Sequence, residues 1–389
     1  MLNFDFQNPT RIVFGQNRIA DLATLVPAQA KVLILVGGSS AERTGTLAEV
    51  RAALGQRQHA TFSGIEPNPT YETAMRAVEQ IRAEGFDFLL AVGGGSVIDA
   101  AKFIAAAVPF VEGDPWAILE RRGRNISGAL PFGTVLTLPA TGSEMNNGAV
   151  ITRQTLGAKL VFSSVHCYPA FSVLDPTKTY TLPAQQLANG VVDAFVHTVE
   201  QYLTYPVEAR VQDRWAEGVL HTLIEVGPRL LSAPEPVYDD RANLMWAATM
   251  ALNGLIGAGV PQDWATHMIG HELTAKFQID HARTLAIVLP ALLQECRQTK
   301  REKLLQYAER IWGLNSDAGT DEQRIDAAIV CTRDFFESLG IATRLSAYGI
   351  GEEAIDGLVA QLQEHGMVKL GERRHVTLDV SRRILLAAL

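Results

Sequence analysis

The stretch FDFLLAVGGGSVIDAAKFIAAA, residues 86–107, decides the fold. Its first half is a short apolar run with the length of a buried strand. It turns on three consecutive glycines, Gly93, Gly94 and Gly95, and its second half has a helical pattern. Strand, tight turn and helix form the repeating unit of parallel α/β architecture. The glycines also carry a chemical reading. Backbone N–H groups at a strand-to-helix turn, with the helix dipole behind them, make an anion cradle that side chains would block. GGGSVID, Gly93 to Asp99, matches neither G-x-G-x-x-G nor G-x-x-x-x-G-K-[ST], so phosphate binding and a plain tight turn are both open at this point.

Working outward, KVLILVGGSS (31–40) repeats the strand-to-glycine plan. GTVLTLPATGSE (133–144) reads as a third strand entering a polar loop, and AFSVLDPTKTYTLP (170–183) as a fourth that stops at proline. Two glycine loops at strand C-termini of one domain point to one crevice, which favours a dinucleotide. No acidic residue occupies Gly37, Gly38, Ser39 or Ser40, where a carboxylate would accept from a ribose 2′-hydroxyl and repel a 2′-phosphate. The expectation is therefore NADP(H), although Glu42 lies close by. After about residue 182 the texture changes to long amphipathic stretches such as 206–232 and 321–340, with hardly any β-branched runs. The expected domains are 1–182, α/β, and 183–389, helical; PEPVYD (234–239) reads as an interhelical loop.

Bulk properties narrow the class. The chain has 389 residues, 47% of them hydrophobic and 20% charged, with 34 Lys plus Arg against 42 Asp plus Glu; the net charge of −8 argues against nucleic-acid or anionic-membrane partners and for a small substrate. Cys167, Cys296 and Cys331 form neither a CxxC pair nor a disulfide framework, and reduced cytosol fits them best. MLNFDFQNPTRIVFG lacks a basic head followed by an apolar core, and LAIVLPALL (285–293) is short and broken by proline. A soluble, cytoplasmic, non-exported protein is expected.

The helical half raises a different question. In VVDAFVHTVEQY (191–202), Asp193 and His197 lie one turn apart on one face of an apolar run. Burying them unpartnered costs roughly 2 kcal/mol or more per polar group. WATHMIGHELTAKFQIDHARTLAIVLP (264–290) adds His267, His271 and His281. A lone helical histidine is ordinarily a surface or satisfied core residue, and His59, His365 and His375, in polar surroundings, are read that way; His166 and His221 show no usable pattern. Two apolar helices that each carry i,i+4 pairs are harder to dismiss. Asp193, His197, His267 and His281 together would suit a borderline divalent ion such as Zn²⁺ or Fe²⁺. Spacing alone does not choose between His267 and His271.

The motifs GGGSVIDAAK, LPATGSE, GVVDAFVHTVEQY and THMIGHELTAKFQIDH, in this order, resemble those of the iron-containing (group III, metal-dependent) alcohol dehydrogenase family, closest to its bacterial NADPH-dependent, broad-substrate aldehyde reductase and butanol dehydrogenase branch. The resemblance runs from PTRIVFG to the last helix. It implies a Rossmann-like dinucleotide-binding domain plus an all-α metal-binding and catalytic domain, the dehydroquinate synthase-like fold, with the active site between them. It makes Asp193, His197, His267 and His281 the ligands of one divalent metal ion and places His271, the catalytic candidate, near the nicotinamide. Gly94, Gly95 and Ser96 would hold the pyrophosphate, and Gly37, Gly38, Ser39 and Ser40 the adenosine end. Asn68, Asp99, Thr137, Thr141, Asn146 and Lys159 complete the cofactor set. The family often has GTGSE where this chain has Ala140, a change that keeps the loop small. The implied reaction is hydride exchange between NADP(H) and short-chain aldehydes or alcohols by a homodimer, with Met145, Trp264 and Met268 as apolar candidates around the substrate. The alternatives are an NAD-dependent glycerol or polyol dehydrogenase of the same fold, a metal-dependent hydrolase, and a non-catalytic binding module.

Overall fold

The computed structural model describes residues 1–389, which form two compact units. One comprises Gln7–Leu182 with Pro236–Thr249; the other comprises Met1–Phe6, Pro183–Glu235 and Met250–Leu389.

The α/β unit is built on six parallel strands: β1 (Arg11–Phe14), β2 (Val32–Val36), β3 (His59–Phe62), β4 (Phe88–Gly94), β5 (Phe132–Leu138) and β8 (Phe171–Leu174), in the order β1-β8-β5-β4-β2-β3. A separate antiparallel hairpin joins β6 (Gly148–Arg153) to β7 (Ala158–Ser163). The helices are α1 (Leu22–Leu25), α2 (Ser40–Arg43), α3 (Thr46–Leu54), α4 (Tyr71–Glu84), α5 (Gly95–Ala107) and α6 (Ala117–Glu120). Because strand side chains alternate, the sheet buries two cores. Leu33, Leu35, Leu89 and Ala91 pack with α4 and α5 residues such as Ala77, Val78, Ile98 and Ile104. Val32, Ile34, Val36, Leu90 and Val92 join Leu22, Leu47 and Val50 on the opposite face. A strand covered on both sides has to be apolar throughout, which is why β2 and β4 were legible and the edge strands β1 and β3 were not.

Where the sequence predicts one break at residue 182, Pro236–Thr249 joins the sheet-containing unit. The reason lies in α9 (Tyr238–Ala251), whose Met245 enters the α/β core while the Trp246 ring meets Phe14 edge-on at 5.9 Å. Arg241 donates to the Thr179 carbonyl at 2.8 Å, and Thr249 to the Glu144 carboxylate at 2.5 Å. PEPVYD is therefore loop over residues 234–237, with its last two residues, Tyr238 and Asp239, opening α9.

The other unit contains α7 (Ala184–Tyr202), α8 (Arg210–Ser232), α10 (Ala265–Phe277), α11 (His281–Glu295), α12 (Arg301–Trp312), α13 (Asp321–Ser338), α14 (Ile355–Glu364) and α15 (Leu378–Ala387). A two-stranded ribbon, β9 (Lys369–Leu370) with β10 (Val376–Thr377), qualifies the all-helical expectation. Every residue of α7 from Gly190 to Tyr202 is buried, against α8 and α11. No helix is long and apolar enough to cross a membrane.

At the β4–α5 turn, a Cβ on Gly95 would collide with Thr141 Oγ1 and lie 2.6 Å from its Cγ2. Threonine is β-branched and stiff, so the clash cannot be relieved by side-chain rotation alone. Gly95→Ala is expected to lower stability by about 1–3 kcal/mol in urea unfolding, the range for overpacking; an unchanged midpoint would show that the turn yields freely.

Candidate metal centre and cofactor loops

Asp193 and His197 project from one face of α7, His267 from the first turn of α10 and His281 from the first residue of α11. All meet at one oxygen. The Nε2 atoms of His197, His267 and His281 lie 3.8, 3.9 and 3.8 Å from Asp193 Oδ1. Asp193, His197 and His267 offer ligand atoms within 4.8 Å of one another; His281 joins through the shared carboxylate oxygen. These separations are too long for direct hydrogen bonds. They are a few tenths of an ångström wider than the roughly 3.4 Å between neighbouring ligands of a tetrahedral site with 2.1 Å bonds. Three imidazoles and a carboxylate converging in this way fit a divalent ion of the zinc or ferrous kind.

The surroundings suit neutral imidazole ligands. Asp193, His197 and His267 are buried, and the His197 and His267 rings stack at 4.6 Å. Burial holds His197 down to about 4 from 6.5; the Asp193 charge opposes this and His267 adds to it. His271, buried one turn after His267, has its ring 5.1 Å from that of His281 and 6.3 Å from that of His267. His267 belongs to the group around Asp193 Oδ1, and His271 lies beside that group.

Sequence reasoning passed over Glu200. It follows Asp193 and His197 at i+7 and i+3 on the same face of α7, a periodicity that was available in the quoted stretch. Its Oε2 bonds His267 Nδ1, and its Oε1 accepts from the Thr266 N–H at 2.6 Å, capping the start of α10. With Glu200 ionised, Nδ1 is the protonated nitrogen and the Nε2 lone pair is left for the centre. Burial raises Glu200 well above the usual carboxylate range, and the Asp263 charge pushes the same way.

In the α/β unit, the neighbouring strands β2, β4 and β5 bring their C-terminal ends side by side. This aligns Gly37, Gly38, Ser39 and Ser40 with Gly94, Gly95 and Ser96, and with Thr137 and Thr141. Arg43, also missed, donates to Ser39 Oγ at 2.9 Å, while Glu42 pairs with Arg51 at 3.2 Å. Asn68, in the left-handed conformation at φ 56°, accepts from Lys159 Nζ at 2.8 Å. Asp99 and Asn146 turn inward. Asp99 accepts from Ser143 Oγ at 2.6 Å and from the Val150 N–H at 2.9 Å. Asn146 bonds the Gly142 carbonyl, the Gly148 N–H and Lys102 Nζ. Lys102 is fully buried and donates to Ser143 Oγ, Asn146 Oδ1 and the Gly148 carbonyl at 2.7–2.8 Å. Burial lowers its pKa to about 8 against the opposing Asp99 charge. This knot shapes the loop after β5; its sequence signal was Lys102 at i+3 from Asp99, closing GGGSVIDAAK.

Two family descriptions match the chain: iron-containing alcohol dehydrogenase over residues 9–176, and the C-terminal part of the same family over residues 187–385. The chain is 61% identical to the NADPH-dependent aldehyde reductase YqhD of Escherichia coli over the full length of both. It is 36% identical to NADH-dependent butanol dehydrogenase A of Clostridium acetobutylicum over 97% of each. Among solved structures, that of the E. coli protein superposes with a TM-score of 0.98 at 60% identity, covering 100% of this chain and 99% of that one. A Thermotoga maritima butanol dehydrogenase gives 0.93 at 35%, with coverage of 100% and 99%.

The depressed His197 value has a measurable consequence for metal-stripped protein. The unfolded chain takes up this proton near 6.5 and the folded chain only near 4, so between these values the unfolded state binds more protons. The stability linked to His197 is complete above pH 6.5 and is lost as pH falls through 4, on the order of 3 kcal/mol. Urea midpoints of the apo protein should fall more steeply across this window than those of a His197→Gln variant. Parallel curves would show that His197 is solvated.

Proposed function

The chain belongs to the iron-containing alcohol dehydrogenase family, and from that premise we propose that it is an NADP(H)-dependent aldehyde reductase and alcohol dehydrogenase acting on short-chain substrates. The observation that carries this reading is the convergence of three Nε2 atoms on Asp193 Oδ1. In the proposal Asp193, His197, His267 and His281 hold one divalent ion, Zn²⁺ or Fe²⁺. Once bound, that ion supplies Lewis-acid stabilisation to the negative charge that develops on a carbonyl oxygen during reduction.

The chain's own residues do the rest. Asp193 offsets part of the ion's charge, and Glu200 holds His267 in the tautomer that leaves Nε2 free to ligate. Trp264, with its ring 5.4 Å from that of His267 and 6.1 Å from that of His197, screens the imidazoles from water on one side. His271 serves as proton relay or as packing for the nicotinamide. For the dinucleotide, Gly94, Gly95 and Ser96 at the start of α5 receive the pyrophosphate. Gly37, Gly38, Ser39 and Ser40 surround the adenosine end, and Lys159, held by Asn68, supplies counter-charge. Thr137 and Thr141 line the same edge, while Asp99 and Asn146 act on the cofactor by shaping the loop.

The cofactor choice rests on the residues after β2. The relatives include NADPH-dependent and NADH-dependent enzymes, so family membership leaves the preference open. Here the carboxylate near the adenosine site, Glu42, is taken up by Arg51, and Arg43 turns to Ser39. A hydroxyl and a guanidinium side by side favour a 2′-phosphate. A cytoplasmic homodimer assembled through the α/β unit completes the proposal; three free cysteines support a reduced compartment.

Asp193→Ala should lose bound metal by elemental analysis and lower butanal turnover by at least about 100-fold, the scale of a lost oxyanion partner, while NADPH binding by fluorescence persists. A variant that keeps both metal and reductase activity removes the ligand assignment, and a wild-type protein that leaves NADPH unconsumed with butanal removes the reductase reading. Separately, Ser39→Asp and Arg43→Ala should each shift the NADPH-to-NADH ratio of kcat/KM toward NADH, by about tenfold or roughly 1.4 kcal/mol. Unchanged ratios would show that other residues select the cofactor.

A further inference from the structure

Behind the candidate ligands lies a second buried cluster of charge in the same unit. Lys300, just before α12, has a side chain 1% exposed, and its Nζ lies 2.6 Å from Asp263 Oδ2, 3.0 Å from Glu372 Oε2 and 2.7 Å from the Leu203 carbonyl. The Asp263 and Glu372 side chains are 2% and 0% exposed. The ammonium uses all three donors, and one positive charge faces two negative ones. Packed apolar residues in place of such a cluster are often no less stable, so stability alone does not account for it.

That role follows from what Asp263 holds. Its backbone N–H donates to the Glu200 carbonyl at 2.9 Å, and its Oδ1 accepts from the Ala265 N–H at 2.9 Å. These bonds bracket Trp264, whose φ of 63° and ψ of 7° put a bulky residue in the left-handed region, a conformation that persists only when its surroundings enforce it. From this turn α10 starts where Thr266 and His267 reach the Glu200 carboxylate, and where the indole stands edge-on to His267 and His197.

We propose that Lys300, with Asp263 and Glu372, is a positioning cluster for the metal centre: it locks the Asp263–Ala265 turn, and through it holds Glu200 against His267 and Trp264 over the imidazoles. This rests on the reading that Asp193, His197, His267 and His281 bind a metal. None of the three cluster residues is assigned contact with metal or substrate; they act through His267 and Trp264.

Co²⁺ is the probe, because its ligand-field absorption reports ligand geometry independently of turnover. Lys300→Met should raise the Co²⁺ dissociation constant 10- to 100-fold, the range for loss of groups that orient a ligand. It should also shift the absorption bands, with NADPH affinity and far-UV circular dichroism as in the wild type. Lys300→Arg, which keeps charge and donors, should recover most of the affinity. A folded Lys300→Met that binds Co²⁺ within twofold of wild type with the same spectrum overturns the proposal. If that variant does not fold, Asp263→Asn decides: about tenfold weaker Co²⁺ binding supports it, and binding within twofold overturns it. Wild-type protein that fails to bind Co²⁺, or an Asp193→Ala variant that binds it equally well, overturns the metal reading and this proposal with it. The Lys300 and Asp263 results bear on positioning alone.

Discussion

A carboxylate oxygen with three imidazole nitrogens 3.8–3.9 Å away, on a helix buried all round, is an arrangement that water would dissolve and an apolar core would reject. In the proposed reading it persists because a group with the opposite demand, a divalent cation, is bound by all four. Much of the helical unit follows from that. α7 has to be buried along its second half, α10 has to start beside it with an imidazole in its first turn, and α11 has to begin at His281. Each requirement is local and cheap alone; together they fix where α10 and α11 begin and which faces three helices turn inward.

Glu200 ties these requirements to one another. A single carboxylate caps α10 and orients His267, so helix start and ligand tautomer are set together. The unfavourable backbone at Trp264 and the buried cluster around Lys300 lie on the same line of contacts as Glu200 and His267. The α/β unit uses the same device in another place. Buried Lys102 gathers Ser143, Asn146 and Gly148 so that the loop after β5 keeps its form beside the glycine turns. In both units a desolvated lysine with all its donors used fixes a loop or turn beside the proposed site.

Legibility in the sequence tracked physical locality. β2 and β4 could be read because a strand covered on both faces must be apolar at every position. β1 and β3, at the sheet edges, are four residues each and half exposed, so no run betrays them. α9 has no marked apolar face, unlike α8 before it, and nothing in its sequence states that Met245 enters the α/β core. Asp193 and His197 stood out because an i,i+4 polar pair in an apolar helix needs a reason. Glu200 continued the same face and was available on the same argument. Lys300, Asp263 and Glu372 come from three distant segments, and no local pattern joins them.

By itself, then, the sequence determined the alternation of strand and helix, the glycine turns at two strand ends, the change of texture near residue 182 and the polar face of α7, because each depends on neighbours within one or two turns of chain. Spacing left His267 and His271 equivalent and only the resemblance separated them; the tertiary structure is what shows that His267, with its Nδ1 on Glu200, faces Asp193 while His271 lies beside His281. It decided equally that Asp99 and Asn146 turn inward and that Glu42 is drawn off by Arg51. Each of these turns on which of several chemically equal partners lies within hydrogen-bonding reach, and that is a property of packing between segments far apart in the chain.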